Sequence, residues 1–136
     1  MSSRAPAARS LGFQIAQHSR IIAQLQTIIA DFDRQAVNLD WDIRVEEDRA
    51  NNHDPSHFAY PTYAKAAIQR RDNLRRSSRE LKDQFDVAKK ALAEAELEAA
   101  RLLDTTAEAC SVAASHLNSH CHHTAPAQQP ARQSPQ

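Results

Sequence analysis

The feature that most constrains this chain is a seven-residue repeat of apolar residues that occurs twice. In the first tract, core-type positions follow one another at alternating steps of four and three residues, and ten of the twelve are apolar. They are Leu11, Ile15, His18, Ile22, Leu25, Ile29, Phe32, Ala36, Leu39, Ile43, Glu46 and Ala50. A repeat sustained over more than five heptads is typical of a coiled-coil helix.

The second tract has the same rhythm and runs from Ala64 to Leu102. It consists of Ala64, Ala67, Arg71, Leu74, Ser78, Leu81, Phe85, Ala88, Leu92, Ala95, Ala99 and Leu102. Arg71 and Ser78 interrupt it early, and alanines make the seam thin. The chain has one glycine, and no proline interrupts 11–54 or 62–125, so both tracts favour helix over strands and turns.

The segment between the tracts predicts a helical hairpin. Asn51 and Asn52 can cap the first helix, Asp54-Pro55 breaks it, and Pro61 suits the first turn of the second helix. A short connection places neighbouring helices antiparallel. We therefore expect an all-α fold of two long helices forming an antiparallel coiled-coil hairpin. The expected organisation is a flexible N-terminus (1–10), a hairpin (11–110; helix 11–50, turn 51–60, helix 61–110) and a disordered tail (116–136).

The charge distribution favours the same pairing. Residues 31–54 hold eight acidic and three basic residues, a net charge of −5, whereas residues 65–79 hold six basic residues and one acidic residue, a net charge of +5. Folding about residue 55 lays these segments side by side. Each exposed ion pair contributes only ~0.2–1 kcal/mol, but their common sign disfavours parallel association of like segments.

Two sets of residues are candidates for protein contacts. Phe58, Tyr60 and Tyr63 cluster at the turn, where they either plug the end of the hairpin or form a contact tip. Val37, Trp41 and Val45 follow one another every four residues opposite the heptad stripe, and Phe13 shares the heptad position of Trp41. Exposed apolar residues mark contacts, and tryptophan is enriched in binding hot spots. Self-association or the end of the second helix could instead cover this face.

Other chemistry has less support. The basic run from Arg70 to Arg79 could contact nucleic acid, but pairing with the acidic first helix explains it more simply, and the net charge is zero. A cluster at the start of the tail contains potential zinc ligands: His116, His120, Cys121, His122 and His123. It lacks two ligand pairs held by a defined fold, so we predict no functional metal site.

Catalysis and membrane insertion are not indicated either. The sequence has no glycine-rich phosphate loop or nucleophile elbow, and two helices offer no pocket that could shift a pKa or exclude water. We expect a non-enzyme without a cofactor. Residues 1–10 lack the apolar core of a secretory signal, and no run approaches the ~20 apolar residues that span a bilayer. The chain is therefore expected to be cytoplasmic.

The turn and its neighbours also carry a resemblance. The segments concerned are Asp54-Pro-Ser-His-Phe-Ala-Tyr-Pro-Thr-Tyr-Ala-Lys65, Arg70-Arg-Asp-Asn-Leu74, Glu80-Leu-Lys82 and the first-helix stretch from Phe13-Gln14 to Glu46-Glu47. Together they resemble the flagellar export protein FliJ as it occurs in alphaproteobacteria, over roughly residues 11–100, about two thirds of the chain. The turn, with aromatic residues between two prolines, is the most specific part.

The resemblance implies a component of the flagellar type III protein export apparatus. Members of this family form a stalk-like antiparallel coiled coil, bind the export ATPase FliI and the export gate protein FlhA, and assist the cycling of export chaperones. It also implies a location at the cytoplasmic face of the inner membrane near the flagellar base. The alternative that the heptads alone leave open is a coiled-coil adaptor or tether with unrelated partners.

Overall fold

A computed structural model describes residues 3–120 of the chain, with side chains up to residue 117. It contains two helices, α1 (Arg4–Ala50) and α2 (Thr62–His120), and no strand among the described residues. Up to Ala99 the two helices pack against each other as an antiparallel hairpin. The predicted fold class is therefore confirmed.

Both helices are longer than predicted. α1 begins at Arg4, so residues 4–10 are helical instead of forming a flexible N-terminus. Pro6 is compatible with this start because it lies in the first turn, where a backbone N–H has no partner within the helix. α2 continues to His120, ten residues beyond the predicted end, because no proline or glycine stops it. The first five residues of the predicted disordered tail are thus helical, and 121–136 lie outside the described residues.

α1 ends at the predicted asparagines. Asn51 adopts a left-handed conformation, with φ 45° and ψ 41°. Its N–H donates to the carbonyl oxygen of Asp48 at 3.2 Å, and the N–H of Asn52 donates to the carbonyl oxygen of Glu47 at 3.1 Å. This pair of bonds is the Schellman motif, in which asparagine tolerates the positive φ better than most residues. The motif turns the chain out of the helix immediately before Pro55.

The seam between the helices lies where the heptads predict it. Every position of the second tract from Ala64 to Ala99 is buried or half-buried, and in the first tract only Ala50 is exposed. The most buried seam residues are Leu25, Ala36, Ile43, Ala64, Ala67, Ser78, Ala88 and Ala95. Five of these eight are alanines, so the helices share a narrow interface without a wide core.

The chain divides into two compact units after Ala99, and residues 100–120 form the described part of the second. From residue 100 to residue 117, the side chains are exposed apart from the half-buried Leu102. Leu103, Val112 and Leu117 are among the exposed apolar residues. Neither helix, over the residues that the structure describes, has a stretch long and apolar enough to cross a membrane.

Candidate protein-interaction surfaces

One edge of the hairpin is lined by acidic residues of α1 that bond to α2 or to the turn. Asp33, Asp40 and Glu47 are seven residues apart, so they lie in a row beside the seam. We call this row and its α2 partners the charged flank. Its contacts determine which surfaces of the hairpin are already occupied and which are available to another molecule.

Asp40 lies at the centre of the charged flank. Its two carboxylate oxygens accept from Nη1 of Arg71 at 3.1 Å and from Nη2 of Arg75 at 2.5 Å. Arg71 also donates to Asp72 within α2. The bond to Asp72 and, after it, the bond to Asp40 raise the pKa of the Arg71 guanidinium against the opposing effect of burial. The predicted pairing of acidic α1 with basic α2 is therefore present in atomic detail.

Asp33 forms the second cross-helix contact, and it explains the polar interruption at Ser78. Ser78 is 2% exposed, and its hydroxyl donates to Oδ1 of Asp33 at 2.6 Å. Nζ of Lys82 lies 2.9 Å from Oδ2 of the same carboxylate. The bond from Ser78, followed by that from Lys82, lowers the pKa of Asp33. A buried hydroxyl in the seam is thus satisfied across the interface.

Tyr60 closes the end of the hairpin. Its ring is buried, and its hydroxyl donates to Oε1 of Glu47 at 2.7 Å. Burial and then the bond to Glu47 raise the pKa of Tyr60 to about 12. Tyr60 therefore matches the interpretation in which an aromatic residue of the turn plugs the end of the hairpin. This residue must be removed from the predicted contact residues because a partner cannot reach its ring.

The turn itself is held by short-range hydrogen bonds. Asp54 accepts from the backbone N–H of Ser56 at 2.9 Å and from its hydroxyl at 2.6 Å; the hydroxyl bond and then the backbone bond lower the pKa of Asp54. The N–H of Ala59 donates to Nδ1 of His57 at 3.1 Å. These bonds fix a rigid loop that presents the residue between them, Phe58.

Phe58 is the most exposed aromatic residue at the turn. Its side chain is 96% exposed, and its ring stacks on that of His57 with the centroids 4.6 Å apart. Tyr63 is exposed over about half its surface, and its hydroxyl lies 3.4 Å from Oδ2 of Asp42. The contact-tip interpretation therefore fits Phe58 best, since Tyr63 is partly engaged with α1.

The predicted apolar row on the outside of α1 is largely open. Trp41 is 68% exposed and Val37 is exposed to a similar degree, whereas Val45 is half-buried. Phe13 is exposed too, but 28 residues of helix separate it from Trp41, about 42 Å along the axis. The structure therefore brings Val37 and Trp41 together as one patch and leaves Phe13 as a separate site. We call Val37 and Trp41, with Val45 at the edge, the outer patch.

Sequence reasoning missed one apolar feature. Ile21 and Ile28 flank the seam on the edge opposite the charged flank, and both remain more than a third exposed. The available signal was their spacing of seven residues outside the main heptad positions.

Nothing in the described part of the chain forms a metal site. Among residues 3–120, no group of three or more histidine, cysteine, aspartate or glutamate side chains could hold an ion. Cys110 is a free, exposed thiol in the second unit. Cys121, His122 and His123 of the predicted histidine and cysteine cluster lie outside the described residues.

Comparison of the chain with protein-family models, with curated proteins and with solved structures finds no match. The resemblance to FliJ therefore rests on the residues of the turn and of the adjoining helices alone.

Proposed function

We propose that this chain is a FliJ-like component of the flagellar type III protein export apparatus. In this role it is a non-enzymatic, stalk-like coiled coil that binds the export ATPase FliI, the export gate protein FlhA and export chaperones. It works in the cytoplasm, at the inner membrane near the flagellar base.

The observation that carries this proposal is the turn. Residues 54–65, which hold the most specific part of the resemblance, join two helices that pack antiparallel, and this is the fold that the resemblance implies. The seam residues are used in packing α1 against α2. Binding must therefore use outward-facing residues, as a coupling rod between larger components requires.

Two surfaces support partner binding. The outer patch offers an exposed tryptophan beside an exposed valine, and truncating such an aromatic anchor at an interface typically costs more than 1 kcal/mol. Phe58 offers a second anchor on a rigid loop, so little conformational entropy is lost when it binds. We assign Trp41 and Phe58 as the residues whose loss weakens partner binding most.

A pull-down tests the proposal directly. The purified chain is immobilised and challenged with FliI and with the cytoplasmic part of FlhA from the same organism, and we expect both to be retained. Trp41→Ala and Phe58→Ala should reduce retention of at least one of them about 10-fold. Leu97→Ala is the matched control, because Leu97 is also an exposed apolar helix residue and lies away from both surfaces.

A deletion strain provides the test in cells. Loss of the gene should abolish or strongly reduce swimming, and the wild-type gene should restore it. Retention of neither FliI nor FlhA, together with normal swimming, would contradict the proposal and favour the adaptor with unrelated partners. We also expect no DNA retention at low salt, because Arg71 and Arg75 of the basic run are bound to Asp40 and the net charge of the chain is zero.

A further inference from the structure

The edge of the hairpin opposite the charged flank carries an uncharged row of residues on α1. Gln14, Ile21, Ile28 and Gln35 are spaced seven residues apart, so they lie in line along one side of the helix. Ile21 is 36% exposed and Ile28 is 40% exposed, so the packing of α1 against α2 leaves both apolar side chains partly open to solvent. We call this row the neutral flank.

Shallow grooves lie beside both isoleucines. Next to Ile21, Val87 and Ala91 of α2 line an apolar groove, with Asp83 as its charged residue. Next to Ile28, a second groove is lined by Ala23, Gln24 and Thr27. A hole made by four residues of one helix accepts a side chain from a facing helix. The neutral flank thus has both protruding side chains and places that could receive them.

The order of residues in the neutral flank is the same in both directions. Read forwards or backwards, it is Gln, Ile, Ile, Gln at equal spacing. When two identical helices run antiparallel about a two-fold axis, residue i faces residue j of the copy and j faces i. In this arrangement each Ile21 faces Ile28 of the other copy, and each Gln14 faces Gln35. The row is therefore complementary to itself in the antiparallel direction.

The charges along α1 favour the same arrangement. An antiparallel register that matches Ile21 with Ile28 places residues 3–18 of one copy beside residues 31–46 of the other. The first segment has two arginines and no acidic residue, a net charge of +2. The second, apart from Asp33 and Asp40, which lie on the opposite edge and bond to α2, has three acidic and two basic residues, a net charge of −1. A parallel arrangement would instead place like charges together, which is unfavourable.

We propose that the neutral flank is a self-association site through which two copies of this chain pair antiparallel. Each copy contributes Ile21 and Ile28 to the centre and Gln14 and Gln35 to the ends. The result is a four-helix arrangement around the middle of α1. This inference goes beyond the proposed export function and does not depend on it.

Sedimentation equilibrium of the full chain over a dilution series tests the association. We expect a reversible monomer–dimer equilibrium. The double variant Ile21→Glu/Ile28→Glu should weaken the dimer at least ~10-fold, because association would bury unpaired carboxylates. Leu103→Glu/Val112→Glu is the matched control, since it also places two glutamates at exposed apolar helix positions, and it should leave the equilibrium unchanged. Circular dichroism verifies that each variant remains helical.

Cysteine crosslinking tests the orientation without relying on a disruptive variant. In a Cys110→Ser/Cys121→Ser background, one sample carries Ile21→Cys and another carries Ile28→Cys. Mild oxidation of the mixture should give crosslinks between the two kinds of chain in preference to crosslinks within either kind.

Three outcomes would overturn the proposal. They are a monomer at every concentration, a dimer that Ile21→Glu/Ile28→Glu weakens no more than Leu103→Glu/Val112→Glu does, and crosslinks that form preferentially between identical cysteine variants. None of these outcomes alters the expected binding of FliI or FlhA, so failure here and failure of the proposed function can be told apart.

Discussion

The half of the hairpin next to the turn differs from the half farther away in what joins its helices. Near the turn, Asp33 and Asp40 bond across the seam to α2, and Glu47 bonds to Tyr60 of the turn. Farther away, the buried seam positions are Leu25 on α1 and the alanines Ala88 and Ala95 on α2. The first half combines apolar burial with directed polar contacts, whereas the second is described chiefly by close apolar packing.

This difference separates the contacts that fix the register of the two helices from those that only hold the helices together. Alanine packing tolerates a shift of one heptad because the shifted seam would again meet apolar residues. A shift near the turn would instead separate Asp40 from Arg71 and Arg75 and leave the buried hydroxyl of Ser78 without Asp33. We infer that the half next to the turn fixes the register and that the other half follows it.

The largest expected effect comes from emptying the seam next to the turn. Ile43 is 5% exposed, so Ile43→Ala should lower the free energy of unfolding by about 2–4 kcal/mol through lost burial and a residual cavity. Urea denaturation followed by circular dichroism measures this change. Ile15→Ala, at a half-buried seam position in the other half, should cost clearly less. Equal losses at the two positions would remove the distinction between the halves.

The next effect is the loss of the central acidic residue. Asp40→Ala leaves Arg71 without its cross-helix partner in a partly buried position and should cost about 1–2 kcal/mol. The same denaturation experiment measures it. Asp31→Ala is the control, because Asp31 pairs with Arg34 on the exposed side of the same helix, where such pairs contribute below ~1 kcal/mol. If the two variants lost the same amount, the charged flank would have no special role.

A smaller effect is expected at the closed end. Tyr60→Phe keeps the ring but removes the bond to Glu47, which should cost about 0.5–1.5 kcal/mol near neutral pH. Because folding raises the pKa of Tyr60 to about 12, its contribution is complete below the unfolded value of about 10 and is lost as the pH rises towards 12. Raising the pH across this alkaline range should therefore lower the free energy of unfolding more for the wild type than for Tyr60→Phe, as measured by denaturation at each pH. Equal losses of unfolding free energy in the wild type and Tyr60→Phe would contradict a hydrogen bond between Tyr60 and Glu47.

Acid should affect the same half of the hairpin. The pKa of Asp33 is lowered in the folded state by Ser78 and Lys82, so its contribution is present above its unfolded value, about 3.9, and is lost as the pH falls through the folded value. Denaturation midpoints measured from pH 5 downward should fall less steeply for Asp33→Asn than for the wild type. An unchanged pH profile would show that the bond to Ser78 does not depend on the charge of Asp33.

The sequence predicted the seam well because a heptad pattern specifies which side of a helix is buried, whatever the detailed contacts are. It located the helix ends next to the turn to within one residue but not the outer ends: residues 4–10 belong to α1, and no proline or glycine stops α2 within 111–120. It could not separate buried Tyr60 from exposed Phe58 either. That difference depends on the hydrogen bonds of His57 and Asp54 within the turn, and a pattern of residue types does not specify them.

The smallest effect concerns the half far from the turn and should be stabilising. Gly12 lies inside α1, and a Cβ atom added there would meet no atom within 4 Å. Gly12→Ala therefore removes the entropic cost of ordering glycine without a steric clash and should raise the free energy of unfolding by about 0.5–1 kcal/mol. Urea denaturation beside Ile43→Ala and the double variant tests additivity, because distant sites add when a protein unfolds in one step. A gain that disappears in the Ile43→Ala background would show that the far half orders only after the register is set near the turn.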